Sequence, residues 1–594
     1  MQWVADFETT TRADDCHVWG WAMCQMDDHE NMYIGTDIYD FMHICETRPE
    51  NPEIWFHNIK FDAQFLIAWL LDNGYTHVIE SRDRATRTFK TLISDSGLYY
   101  AVEVIFWRRG KNIKKATFYD SLKLLPMTVA EIAEAFRMEV RKGKIDYTAH
   151  DNLPYNSPMT EEEAEYLKND VRIVATALSF FRSQGLTKMT IGSCALAEYK
   201  SMLGKREFER RFPPVNYDDI HQSYRGGVTQ VEPEIAEKLL GNGVVLDNNS
   251  IYPYVMRTRV LPHGTPIHFK GRYKPDEMYP LYTQQLRCAF ELKPGKIPTI
   301  QVRDGQVPRT SEYLRSSDCE EIVLTLNNVD LDLFLENYYV YNPEWLSGWK
   351  YKGTRGLFDE YVDKWTEAKV RATEEENWGL RLVAKLFLNA LYGKFGQSNR
   401  RKSKAPYKDT DGVVKYKDLP PTTCDALYVP MASFITSYAR DITLRAAQRV
   451  KDEYEAGISK IRWAYCDTDS LHLLSDDFSI PDWLEIHPTK LGAWKIEYKF
   501  TKAKYIRQKC YILKTIISER DYQKGRAGDY PTLYSKRNGV FYKMKVTVAG
   551  MPEECYPEVS FKNFKVGASY SGRKQQSVVP GGAILRSLDF TIKR

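Results

Sequence analysis

Residues Ala464–Leu473 read AYCDTDSLHL. Strand-type residues run into the polar break (Ile461, Trp463, Tyr465) and out of it (Leu471, Leu473). Period-2 apolar positions on both sides predict a β-hairpin with Asp467 and Asp469 at its tip. Two carboxylates held that close repel, and a divalent cation that prefers oxygen ligands is the usual relief. An isolated Asp-x-Asp is more often an ordinary acidic turn, because Asp is a common turn residue. The metal-site reading needs parts from elsewhere, and two stretches supply them.

The first is GVVLDNNSIYPYVM, residues 243–256. A buried-type strand, Val244–Leu246, delivers Asp247 at its end; Tyr252 follows, and Pro253 is expected to close the turn. One carboxylate from this strand and two from the hairpin can cage two cations. The second is WGLRLVAKLFLNALYGKFG, residues 378–396. Lys385, Asn389 and Tyr392 recur at helical spacing on one face, with Val383, Phe387, Ala390 and Leu391 opposite. Gly393 and Gly396 end the helix. Such a face suits a triphosphate and a base, although a solvated helix face looks the same.

A second acidic group lies near the N-terminus. WVADFETT, HVWGWAMCQM and NMYIG predict three antiparallel strands, with Asp6 and Glu8 on one face of the first. In IWFHNIKFDAQFLIAWL, Asn58 ends a strand and Asp62 opens a helix whose Phe65, Leu66 and Trp69 point inward. In EEEAEYLKNDVRIVATAL, Tyr166 and Asp170 are four apart on a helix and share a face. Asp6, Glu8, Asp62 and Asp170 together are enough to hold two metal ions for phosphodiester hydrolysis, with Tyr166 placed to orient a water.

Composition sets the bounds. The chain has 594 residues, 43% of them apolar and 27% charged, which fits several globular domains rather than disorder. The net charge of +4 is modest, but residues 541–594 hold nine Lys or Arg against four Asp or Glu. The ten cysteines include no C-x-x-C pair and read as reduced thiols. No secretory start and no stretch of ~20 apolar residues is found, so a soluble intracellular protein is expected. In SYRGGVTQ, residues 223–230, Tyr224, Arg225, Gly226 and Gly227 read equally well as a phosphate-contacting loop or a plain turn. Lys502, Lys504, Arg507 and Lys509 punctuate KAKYIRQKCYIL, a pattern suited to a strand facing a nucleic-acid backbone.

These stretches resemble, in order, the motifs of family B DNA polymerases. DFETT, HNIKFD and YLKND are similar to the three exonuclease motifs of proofreading enzymes. SYRGG is similar to the Tyr-x-Gly-Gly segment, LDNNSIYP to motif A, KLFLNALYGKFG to motif B, YCDTDS to motif C, and Lys509-x-Tyr511 to Lys-x-Tyr. The chain resembles most the protein-primed polymerases of small tailed bacteriophages, the phi-twenty-nine type.

The resemblance implies an α+β multidomain fold. A ribonuclease-H-like 3′–5′ exonuclease domain would occupy residues 1–187. A right-hand polymerase domain would follow: palm at 188–259 and 431–540, fingers at 360–396, thumb at 541–594. Two insertions are implied, at 260–359 (the region contacting the priming protein) and at 397–430, an exposed hairpin for strand displacement and processivity. Mg²⁺, with Mn²⁺ as a substitute, is the implied cofactor, two ions per site. One pair would be held by Asp247, Asn248, Asp467 and Asp469, the other by Asp6, Glu8, Asp62 and Asp170.

Residue roles are implied in the same way. Tyr252 would meet the sugar, and Lys369, Arg381, Lys385, Asn389 and Tyr392 the rest of the dNTP. Thr9, His57, Asn58, Phe61, Ser121 and Leu122 would hold single-stranded DNA, with Lys142 on the scissile phosphate. Tyr224, Arg225, Gly226 and Gly227 would pass the strand between sites, and Lys509 and Tyr511 would bind the primer end. The expected partners are template and primer DNA, dNTPs and a terminal protein. A monomer in the host cytoplasm is expected. Lys144 departs from the acidic residue usual there and is given no role.

Overall fold

The structure is a computed structural model. It describes residues 1–215, 218–301, 303–304, 307–308 and 313–593. An eight-stranded mixed sheet organises the N-terminal part. Gln2–Thr9 lies inside it, antiparallel to Val18–Gln25 and parallel to Glu53–Phe56. A strand with a parallel neighbour is usually covered on both faces, and this one is. Trp3, Ala5 and Phe7 pack with Phe41, Phe65 and Leu66. Val4, on the other face, packs with Tyr166, Leu167 and Val171 of helix Glu161–Ser183. Strand alternation therefore turns Asp6 and Glu8 toward that helix. Thr160 and Glu163 close its start as a capping box.

A second eight-stranded sheet forms the centre of the molecule. Gly243–Asn248 pairs on one side with Ser470–Leu474 and on the other with Trp494–Arg507. Val244, Leu246, Leu471 and Leu473 pack under Leu444, Ala447 and Val450 of the long helix Val429–Glu455. That burial fixes the register, so the acidic ends of the strands are not free to slip. A four-stranded sheet with helix Asn328–Asn337 stands to one side. Helices Asp359–Glu374 and Trp378–Phe395 form a hairpin, with the Asn377 side chain capping the second.

Three local expectations are corrected. Pro253 does not close a turn. It is the third residue of helix Ile251–Thr258, in the first turn, where a missing N–H costs nothing. The boundary placed at 540/541 falls at the start of a strand, Val540–Val548, which pairs with Cys510–Ile517 inside the central sheet. The last hairpin, Ser569–Val579 with Gly582–Thr591, is the separate piece.

The third correction concerns residues 397–430, expected as an exposed hairpin: the hairpin is present but docked rather than exposed throughout. Lys404–Lys408 pairs with Val414–Asp418, and this hairpin is docked on the N-terminal sheet. Val414 joins the N-terminal core, Tyr416 donates to Gln64 Oε1 at 2.7 Å, and Ser403 bridges Ser94. The C-terminal hairpin docks beside it through Val579 and Ile584. A Cβ on Gly412 would lie 3.8 Å from Pro580 Cβ, so the two tips meet.

Two candidate active sites

The hairpin read from AYCDTDSLHL is present. Asp467 pairs with Ser470, and Thr468–Asp469 is the turn, with Thr468 at φ +57°. Asn248 donates its N–H to the Asp469 carbonyl at 2.7 Å, locking Asp247 beside the turn. The Tyr224–Val228 loop lies against the hairpin: Thr468 N–H donates to the Val228 carbonyl at 2.6 Å. Arg440 secures that loop from behind, donating to the carbonyls of Arg225 (2.8 Å) and Gly226 (2.6 Å). Its charge is met by buried Asp330.

Each outer carboxylate of this cluster carries a lysine. Lys509 Nζ reaches Asp467 Oδ1 at 3.0 Å and Oδ2 at 2.7 Å. Lys495 Nζ lies 2.7 Å from Asp247 Oδ2. Tyr465 and Thr229 add hydroxyl donors to Asp467, each at 3.2 Å. Burial, and then the Asp247 charge, push Asp469 up to about 6. Among the described residues no three acidic, His or Cys side chains already converge at ligand distance. The donor set nevertheless fits divalent cations. It is all oxygen, its central carboxylate is destabilised by its neighbours, and buried Asn248 leaves its Oδ1 without a partner.

Across the cleft, Lys385 and Asn389 are exposed and Arg381 and Tyr392 partly so, on helix Trp378–Phe395. Lys369 comes from the neighbouring helix, its charge disfavoured by burial and then by Arg381, Lys495 and Lys385. Tyr252 and Tyr392 stack, ring centres 4.0 Å apart. Tyr511 is placed differently from Lys509. It is buried among Tyr465, Tyr505 and His472 under the hairpin, so it supports the site rather than facing the cleft.

The N-terminal carboxylates form a separate site. Asp6 and Glu8 come from one strand, Asp62 from the start of helix Asp62–Asp72, and Asp170 from helix Glu161–Ser183. Burial and then Asp170 push Asp6 up to about 7, while burial and then Asp6 push Glu8 and Asp62 up. Lys142 Nζ bonds Asp170 Oδ2 at 2.7 Å, and Asp170 Oδ1 is buried without a partner. Mutual repulsion plus an orphaned oxygen again fits divalent cations. Tyr166 lies beside them, its hydroxyl 3.3 Å from that of Tyr147. Burial, then Asp170 and Glu8, push the phenol far up, so it stays protonated.

A cleft of about 520 Å³ opens here, lined by Asp6, His57, Asn58, Leu122, Lys142 and Asp170. His57 is fixed by Ser121 Oγ (2.9 Å) and the Met127 carbonyl (2.7 Å). Asn58, at φ +68°, and Leu122 both donate N–H to Asp120 Oδ1 at 3.1 Å. Phe61 is partly exposed at the helix start and Thr9 is buried at the strand end.

Three contributors escaped the sequence reading: Lys495, Arg440 and Asp120. Asp120 had a signal, since it immediately precedes Ser121 and Leu122, which the resemblance singles out. Lys495 and Arg440 had none, because their partners are set by strand register and helix packing.

Comparison with known proteins agrees with this geometry. The family model described as DNA polymerase type B, organellar and viral, matches residues 43–158 and 150–478. The DNA polymerase of Bacillus phage phi29 is 40% identical over 99% of this chain and 98% of its own. That of Streptococcus phage Cp-1 is 30% identical over 100% and 98%. The solved phi29 DNA polymerase with primer-template DNA and incoming nucleotide substrates covers 100% of both chains, with TM-score 0.89 and 39% identity. The chain therefore belongs to the type B DNA polymerases, in the group of the phage phi29 enzyme.

Proposed function

We propose that this polymerase copies a viral genome from a protein primer, displaces the non-template strand, and proofreads with a separate 3′–5′ exonuclease site. One observation carries the reading. Asp247, Asp467 and Asp469 meet at the ends of neighbouring strands, opposite Lys369, Arg381 and Lys385 and beside the Tyr252–Tyr392 stack. That is an acidic catalytic centre facing a basic triphosphate seat. The central sheet then serves as palm, the helix hairpin 359–395 as fingers, the last hairpin as thumb, and the N-terminal sheet as a ribonuclease-H-like exonuclease. The sheet around residues 261–354 is where a terminal protein would dock.

Divalent cations on Asp247, Asp467 and Asp469 would activate the 3′-hydroxyl and neutralise the departing pyrophosphate. The chain does the rest. Lys385 and Arg381 draw the triphosphate in, and Tyr252 sits where a 2′-hydroxyl would collide. Tyr392 stacks behind it, and Lys509 moves from Asp467 to the primer phosphate. At the second site Asp6, Glu8, Asp62 and Asp170 would hold the cations, Lys142 would meet the scissile phosphate and protonated Tyr166 would orient the attacking water. His57, Asn58, Ser121 and Leu122 position the frayed end.

The tips of residues 397–430 and the last hairpin meet, and this reading takes the two together as a collar around the product duplex that would support processive copying. Beside the collar a cavity of about 740 Å³ is lined by Ile93, Lys123, Met189, Lys394, Arg400 and Lys402. Its basic, partly apolar wall suits a single template strand. The test is primer extension and terminal-protein deoxynucleotidylation with Mg²⁺, comparing the wild type with Asp247→Ala. Extension that survives this substitution rejects the reading. Deoxynucleotidylation of a cognate terminal protein by the wild type supports priming.

A further inference from the structure

Lys495 lies outside every motif that marks the family resemblance. Strand pairing sets it directly across from Asp247, and directly opposed residues on antiparallel strands project to one face. Its ammonium sits 2.7 Å from Asp247 Oδ2, with side-chain exposures of 39% and 22%. The pair opens on the cleft rather than into a core, and ion pairs so exposed add little to stability. A lysine that salt-bridges a catalytic carboxylate for so small a structural gain calls for a functional account.

The surrounding charges supply it. Lys369, Arg381 and Lys385 face this pair across the cleft, and Lys495 stands among the cations that disfavour the Lys369 charge. Asp247 is the anion that offsets this group. Once Asp247 gives its oxygens to a divalent cation, Lys495 is left beside three other cations without a counter-charge. The anion that arrives at the same moment is the triphosphate. The lysine stem is flexible and its ammonium is a compact point charge, so it can change partners without moving the strand.

The geometry points to Lys495 as a fourth cation of the triphosphate seat. It rests on Asp247 in the nucleotide-free enzyme and passes to phosphate oxygens of the incoming dNTP. No covalent bond is made or broken in this exchange. The inference rests on the polymerase reading of Asp247.

Equilibrium binding tests it apart from turnover. The full chain is bound to a primer-template with a dideoxy end, and the dATP dissociation constant is measured with Ca²⁺ in place of Mg²⁺. Mn²⁺ binding to the nucleotide-free protein is followed by electron paramagnetic resonance. Lys495→Met should weaken dATP about tenfold, the usual scale of one charge-assisted contact, and should tighten Mn²⁺ binding. Lys495→Arg should bring dATP affinity back to within about threefold of the wild type, because the charge is kept. Circular dichroism and the thermal midpoint report the fold, and Lys495→Gln replaces the Met variant if that one fails to fold. Unchanged dATP affinity in the neutral variant overturns the inference, even if Mn²⁺ binds more tightly, because Lys495 would then be only a resting counter-ion. Extension by Asp247→Ala would instead sink the polymerase reading itself, so the two failures are distinguishable.

Discussion

Gly227 lies against Thr468 so closely that a Cβ on the glycine would sit 2.3 Å from the threonine Oγ1. The second glycine of SYRGG is therefore a contact surface for the tip of the Asp467–Asp469 hairpin. This joins the Tyr224–Val228 loop to the hairpin through Thr468, the residue between Asp467 and Asp469. Gly227→Ala must push the hairpin or the loop by a few tenths of an ångström or more. Displacements of ~1 Å at a reacting centre cost on the order of a hundredfold. We expect primer extension to fall at least about tenfold while single-strand degradation at the other site stays near wild type. Equal extension rates for wild type and variant would show that the loop only rests there.

The N-terminal carboxylates carry a prediction in two parts. Asp6→Ala combined with Asp62→Ala should abolish 3′–5′ degradation and leave extension largely intact, because Asp247 and Asp469 belong to another sheet. Equal loss of both activities in a folded protein contradicts two separate sites. The second part is pH. Asp6 is pushed up to about 7, first by burial and then by Asp170. A carboxyl whose folded pKa is raised is charged at a cost above that value, and the cost disappears as pH falls through it toward the unfolded value. Metal-free Asp6→Asn should therefore melt a few degrees above the wild type at pH 8, with the gap closing between about pH 7 and pH 4. A gap that stays constant over that range would place the pKa elsewhere.

The hairpin, the motif-A strand and the three acidic elements were legible because each depends on local periodicity. What escaped depends on register or on packing between distant segments. Lys495 reads as one more lysine in a strand until Asp247↔Lys495 pairing is known. The strand Val540–Val548 looked like the start of a thumb because its basic charge was visible and its partner, Cys510–Ile517, was not. Residues 397–430 read as an exposed hairpin from their polarity. Yet Ala405 and Val414 are buried against the N-terminal sheet, and two apolar residues among many polar ones leave almost no pattern.

Sugar choice follows from the stacked pair. Tyr252 is partly buried and stacks on Tyr392 with ring planes 26° apart, so its ring has little room to yield to an extra hydroxyl. Tyr252→Val should raise ribonucleotide incorporation by at least about tenfold while dNTP use persists, since a lost steric block in a packed pocket is worth 1–3 kcal/mol. A ribonucleotide competition assay reads this directly. Unchanged discrimination would remove Tyr252 from the pocket wall.

The collar gives the last prediction. Gly412 and Pro580 are the tips of two hairpins that both stand on the N-terminal sheet, and a Cβ on Gly412 would lie 3.8 Å from Pro580 Cβ. That separation is close to the ~3.8 Å mean of a disulfide. Gly412→Cys with Pro580→Cys should therefore cross-link under mild oxidation. Gly412 sits at φ +80°, so a side chain there costs roughly 1–2 kcal/mol, which a docked hairpin in a large protein can tolerate. If the collar surrounds the product duplex, the order of events decides the outcome. Oxidation after loading on a primed circular template should hold the enzyme on the DNA through a heparin challenge and at high salt, where charge attraction alone is screened. Oxidation before loading should block entry onto the same circle and leave entry at a linear end possible. Replacing Arg400–Pro421 by a short Gly/Ser linker should act in the opposite sense, sparing short extensions and stalling at a downstream duplex. A cross-linked enzyme that loads on circles and leaves them as freely as the reduced form would show that the two tips touch without enclosing DNA.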